Sequence, residues 1–120
     1  MSITKQARKR KPNKPLKKQC DADLDQMIEE ATVDAHDESE HILGLYTMME
    51  EYLELPFSTS ILGIDVNVDG IEFDDAGQIA AVCSRGRTRQ RISLLEVPLP
   101  KPPPRGAKWI EAYRCWVRGR

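Results

Sequence analysis

Residues 42–73, ILGLYTMMEEYLELPFSTSILGIDVNVDGIEF, decide the fold, because the spacing of apolar residues changes inside them. Ile42, Leu45, Tyr46, Met49 and Leu53 recur at i, i+3, i+4, i+7 and i+11, the stripe of an α-helix that Asp37 or Ser39 is placed to cap. Pro56 stops it, since proline lacks the N–H that a continuing helix needs. From Phe57 the helical period is gone, and FSTSILG, IDVNV and IEF alternate as short strands with one buried face. A helix that runs directly into alternating strands predicts an α+β chain with an antiparallel sheet.

Working downstream, Asp74-Asp75-Ala76-Gly77 reads as a turn, QIAAVCS as a strand, Arg85-Gly86-Arg87 as a hairpin turn and RQRISLLEV as the strand that completes the pairing. Four or five short strands of this kind predict a small antiparallel β-barrel-like sheet. PLPKPPPRG runs extended, because its prolines fix φ and remove donors, and Trp109, Tyr113, Trp116 and Val117 then share one face of a short aromatic C-terminal helix. Upstream, Leu24, Met27, Ile28 and Ala31 predict a short first helix whose opening turn holds Asp21, Asp23 and Asp25, where the helix dipole favours acids. Residues 1–19 carry eight Lys or Arg, no acid and few apolar groups, so they are expected to form a disordered basic tail, with residues 20–120 as a single small domain.

Charge is segregated along the chain. Residues 20–75 hold seventeen Asp or Glu and no Lys or Arg, whereas residues 76–120 hold ten basic residues against Glu96 and Glu111. The net charge of -1 conceals blocks of +8, -17 and +8. The acids must be neutralised by distant parts of the chain, by counterions or by a bound polyvalent cation.

Several function classes are disfavoured. No apolar run approaches the roughly 18 residues of a membrane helix, and the basic N-terminus lacks the apolar stretch of a signal peptide, so a cytoplasmic protein with no membrane partner is expected. Cys20, Cys83 and Cys115 form no CxxC pair and are read as free thiols, while His36 and His41 are read as ordinary surface residues away from every cysteine. A phosphate loop, a nucleophile elbow and a spaced His–carboxylate–nucleophile set are all missing from the sequence, which argues against an enzyme.

Two acidic constellations suit a hard cation, which takes about six to eight oxygens from carboxylates and carbonyls. One is Asp34, Asp37, Glu38 and Glu40, at the bend before the second helix, with Glu50, Glu51 and Glu54 in reserve on that helix's exposed face. The plainer alternative is that these acids cap the helix and complement its dipole. The other is Asp65-Val-Asn67-Val-Asp69-Gly70, which matches the first six positions of an EF-hand loop. That match then breaks, because Ala76 stands where the bidentate Glu belongs and the upstream segment reads as a strand. The rival function is an interaction module in which the basic tail, with Arg85, Arg87, Arg89 and Arg91 on one face of a hairpin, contacts nucleic acid or an acidic protein.

Residues 33–59, VDAHDESEHILGLYTMMEEYLELPFST, resemble the opening of the CcbP family of cyanobacterial-type calcium-binding proteins. The likeness lies in the acidic start Asp34-Ala35-His36-Asp37-Glu38-Ser39-Glu40, the helix with Gly44 and Tyr46, the acidic end Glu50-Glu51, and Leu53, Pro56 and Phe57; IEAYRCWV is similar to the family's closing helix. His36 stands in place of a usual Tyr, and Ser39 in place of an acid. The resemblance implies a helix-plus-small-barrel fold that binds Ca²⁺, with Mg²⁺ or Mn²⁺ not distinguished, through surface acids as an ion buffer or regulator.

Overall fold

The computed structural model describes residues 20–119; the expected basic tail, residues 1–19, lies outside them. Two helices come first, α1 (Ala22–Ala31) and α2 (Glu38–Tyr52), followed by strands β1 (Phe57–Ile61), β2 (Ile64–Phe73), β3 (Ile79–Arg85) and β4 (Thr88–Ser93), and finally α3 (Ala107–Arg118). The strands form one antiparallel meander in the order β1-β2-β3-β4. The α+β expectation holds, and the helix and strand segments fall as read except that the last strand ends at Ser93, leaving Leu94-Leu95-Glu96-Val97 of RQRISLLEV outside it.

Turn chemistry sets the register. Ile61 pairs with Ile64 across Leu62-Gly63, both with positive φ (52° and 80°), which is the backbone of a tight hairpin whose twist matches its strands. Arg85 pairs with Thr88 across Gly86 (φ 59°) and Arg87, so the second hairpin turn falls where the sequence placed it. IDVNV and IEF are one ten-residue strand bent by a β-bulge, in which Asp69 is the extra residue between Val68, opposite Cys83, and Gly70, opposite Val82.

The sheet does not close into a barrel, and the proline-rich segment explains why. It returns past β1, but its prolines offer no N–H to a ladder. There the buried Thr59 hydroxyl donates to the Pro98 carbonyl.

All three helices converge on one core. Ile42, Leu45 and Met49 from α2, Val68 from β2, Ile79, Ala81 and Cys83 from β3, and Ile110 and Tyr113 from α3 are buried together with Leu94 and Val97. Fully burying one such large side chain contributes about 1.5–3 kcal/mol. Helix α3 also fixes the segment after β4: the Arg114 guanidinium donates to the carbonyls of Leu94 and Val97. Burial lowers the Arg114 pKa, Arg118 adds to that, and Glu111 opposes it.

Two glycines are required by close approach. A Cβ on Gly44 would lie 2.1 Å from the Ala31 carbonyl oxygen, so its absence lets α1 and α2 touch. Gly106, at φ 82°, caps α3, and a Cβ there would lie 2.2 Å from the Tyr52 carbonyl oxygen at the end of α2.

The reading of three free thiols is overturned. Cys20 and Cys115, 95 residues apart in sequence, form a disulfide with Cα atoms 5.7 Å apart, and Cys83 is a buried free thiol. Sequence spacing cannot show that α1 begins beside the end of α3, which is what brings the two sulfurs together.

Candidate metal-binding site

The leading acids sit where α1 hands over to α2. Asp37, not Ser39, is the N-cap of α2, and its Oδ1 accepts from the Glu40 N–H at 2.9 Å. Glu40 Oε1 in turn accepts from the His36 N–H at 2.6 Å. This is the reciprocal arrangement of a capping box, shifted by one residue on the return bond. Asp34 is exposed on the loop before it, and Glu38 opens the helix. Asp34 and Glu40 also flank an open groove whose apolar walls are Val33, Leu43 and Met48. The carboxylates of Asp34, Asp37 and Glu40 form no ion pair with any Lys or Arg among the described residues.

These side chains are neighbours in the chain but not a formed cage. Among the described residues, no group of three or more His, Cys, Asp or Glu side chains is gathered as a metal site. The physical reason is local, since two of the four leading carboxylates are already satisfied by backbone N–H groups.

The reserve acids lie elsewhere. Glu50 is ten residues beyond Glu40, about 15 Å along the helix axis, and its carboxylate faces Tyr46. Burial raises the Tyr46 pKa, the charge and hydrogen bond of Glu50 add to that, and Glu72 contributes. Glu51 is exposed in the last turn of α2, where no basic residue offsets the dipole. Glu54 is past the end of the helix: its N–H donates to the Arg105 carbonyl, and its carboxylate accepts from the Arg105 N–H, at 2.8 and 3.2 Å. It secures the approach to α3 rather than extending an acidic helix face.

On β2 the partial EF-hand match dissolves into strand geometry. Asp65 and Asn67 occupy alternate positions of the strand, Asn67 accepts from the Ser58 hydroxyl, and Asp69 is displaced by the bulge. Asp74 accepts from the N–H groups of Ala76 and Gln78, both at 2.9 Å, which makes it the organiser of the β2–β3 turn.

Some of the acid block is neutralised from a distance. Arg91 reaches Glu72 at 3.4 Å and Asp75 at 3.6 Å, and Lys108 stands 4.0 Å from Asp23. These pairs are solvent-exposed and each contributes at most about 1 kcal/mol. The arginine face of the rival reading does not form. The pairings Ser84 with Arg89 and Val82 with Arg91 put these two arginines on one face, whereas Arg85, opposite Thr88, falls on the other and Arg87 sits in the turn. Counting every second residue through a hairpin fails because the turn resets the alternation. His41 also departs from a plain surface role, stacking on Trp116 with ring centroids 5.8 Å apart while its Nδ1 meets the Asp37 carbonyl.

No helix among the described residues is long and apolar enough to cross a membrane. No protein-family model matches the chain, and no curated protein matches its sequence. The crystal structure of Anabaena CcbP does match, with a TM-score of 0.69 and 21% sequence identity over 88% of this chain and 96% of that one. The resemblance carried by residues 33–59 therefore extends through the architecture of nearly the whole molecule, and the chain shares the CcbP fold.

Proposed function

We propose that the protein is a non-enzymatic binder of Ca²⁺, or of a similar hard divalent cation such as Mg²⁺ or Mn²⁺, acting as an ion buffer or regulator through the carboxylates of the α1–α2 junction. The observation that carries this reading is the uncompensated charge of the junction: Asp34, Asp37 and Glu40 lie within a block of seventeen acids and no bases, away from the cations that serve the sheet and α3. The likeness to the CcbP fold supports it.

The donor chemistry fits a hard cation, since every candidate ligand is a carboxylate or backbone oxygen, and the nearby His41 ring is already engaged with the Asp37 carbonyl and stacked on Trp116. Asp34, Asp37, Glu38 and Glu40 would hold the ion, with the junction's carbonyls completing the oxygen count. Because Asp37 and Glu40 also cap α2, a bound cation draws on the same oxygens that receive backbone N–H groups. Such a site exchanges part of a helix cap for coordination, which suits weak, reversible binding more than a permanent structural ion. Glu50, Glu51, Asp65 and Asn67 remain more distant surface acids and amides, available to a second, looser ion.

Isothermal titration with CaCl₂ and, separately, MgCl₂ tests the reading at low ionic strength, where screening is weakest. The wild-type chain is expected to bind calcium and to melt at a higher temperature with it, by mass action on the folded state. The double variant Asp37→Asn with Glu40→Gln keeps cap-competent amides, so it should bind at least about tenfold more weakly with an unchanged circular dichroism spectrum. No heat and no change in melting temperature for the wild type in millimolar CaCl₂ would discard cation binding altogether.

A further inference from the structure

The disulfide joins the helix with the fewest buried residues to the helix with the most. Cys20 immediately precedes Asp21, the N-cap of α1, and Cys115 lies in the last turns of α3. Within α1 only Leu24 is buried, while Met27, Ile28 and Ala31 pack half-buried against the core, chiefly along α3, with the close Gly44–Ala31 approach on the α2 side and the exposed Lys108–Asp23 pair. An isolated helix of ten residues is below the length at which helices persist in water. Helix α3, in contrast, buries Ile110, Ala112 and Tyr113 completely, and its Tyr113 and Arg114 bond to the strand region and the segment after it.

From this asymmetry we propose that the Cys20–Cys115 bond is a redox latch: oxidised, it holds α1 against the body; reduced by a dithiol, it releases α1 while the sheet and α3 stay folded. The two sulfurs differ in access, for Cys20 is half-buried whereas Cys115 is 4% exposed. A reductant's thiolate therefore attacks the Cys20 sulfur and displaces Cys115 as a thiolate, which takes up a proton. The reductant's second thiol then closes on the mixed disulfide and frees Cys20. Overall, two electrons and two protons pass from the dithiol to the protein, and the dithiol leaves as its own disulfide. The buried Cys83 takes no part: burial, with the Asp69 charge, holds its thiol above the ordinary range.

The latch does not depend on whether the α1–α2 junction binds a cation, so its test is made in the absence of calcium. Hydrogen exchange read by mass spectrometry on the full chain, before and after complete reduction with dithiothreitol, follows residues 22–31 separately from β3 and α3. Reduction should speed exchange in α1 at least tenfold and leave β3 and α3 protected. The variant Cys20→Ser should show the fast α1 pattern without reductant, and Cys83→Ser should behave as the wild type in both states. Unchanged α1 exchange after full reduction would overturn the latch. So would simultaneous loss of protection across α1, β3 and α3, which would make the bond a staple of the whole fold, and so would recovery of three titratable thiols from protein incubated with oxidised glutathione.

Discussion

Helices α1 and α3 are of similar length, ten and twelve residues, and lie against each other, yet they stand in opposite relations to the core. Helix α3 buries Ala107, Trp109, Ile110, Ala112, Tyr113 and Cys115, and its Arg114 and Tyr113 bond to backbone of the strand region. Helix α1 buries Leu24 and turns its acids outward. The chain thus separates a scaffold, made of the sheet with α3 and the apolar face of α2, from an acidic layer that contributes a single buried side chain and otherwise packs half-buried residues on α3. Charge accounts for the separation: a surface that concentrates carboxylates is self-repelling and cannot also be the tightest-packed part of a small domain. The candidate junction, Asp34 to Glu40, lies at the boundary between the two, where α1 hands over to α2.

The comparison is most open to attack by truncating one buried side chain in each helix. Ile110→Ala removes atoms from a fully buried site and should cost about 3–4 kcal/mol in urea unfolding, with all probes shifting together. Leu24→Ala, at the edge of the core, should cost about 2 kcal/mol or less, because that site can collapse or admit water. Equal losses at the two positions would mean that α1 is as much a part of the scaffold as α3.

A subtler contrast uses Gly44. An added methyl gains about 1 kcal/mol of helix propensity for α2 but drives a Cβ into the Ala31 carbonyl, an overpacking that costs about 1–3 kcal/mol. Gly44→Ala should therefore destabilise by about 1 kcal/mol net, with faster hydrogen exchange confined to α1. A variant more stable than the wild type would show that the α1–α2 contact contributes nothing.

The scaffold was largely legible in the sequence, because its periodicities are strong. The stripe Ile42, Leu45, Met49 and Leu53 is buried as spaced, and the change of period after Pro56 marks the first strand. What could not be read were relations between distant segments: the meeting of Cys20 with Cys115, the hold of Arg114 on the Leu94 and Val97 carbonyls, and the tie between Glu54 and Arg105. Each depends on where α3 returns, and nothing local to these residues encodes that. The site was legible only as composition. The sequence shows that acids are concentrated near Asp37 but not that two of them are spent on a cap, and the strand bulge at Asp69 is invisible to an alternation that otherwise continues through it.

The smallest expected effect tests how the scaffold is tied to its turn. The Tyr113 hydroxyl accepts from the Ile79 N–H and donates to Gln78 Oε1, both at 3.1 Å. Tyr113→Phe leaves that buried N–H without its acceptor, so at neutral pH it should cost about 1 kcal/mol, at the low end for an unsatisfied buried donor. Burial raises the folded-state pKa of Tyr113, the Ile79 N–H partly opposes the rise, and Asp74 adds to it. Folding therefore favours the neutral phenol, and its contribution is complete below the unfolded pKa of about 10 and is lost as pH climbs through the higher folded value. Phenylalanine has no proton to lose. The stability gap between wild type and variant should accordingly stay constant from pH 7 to about 9 and narrow above about pH 10. Tyr46, also raised by burial, is present in both proteins and cancels in the difference. A gap that widens with alkali would mean that the phenolate is better held in the folded protein than in the unfolded chain, and that the N–H of Ile79 outweighs burial at this position.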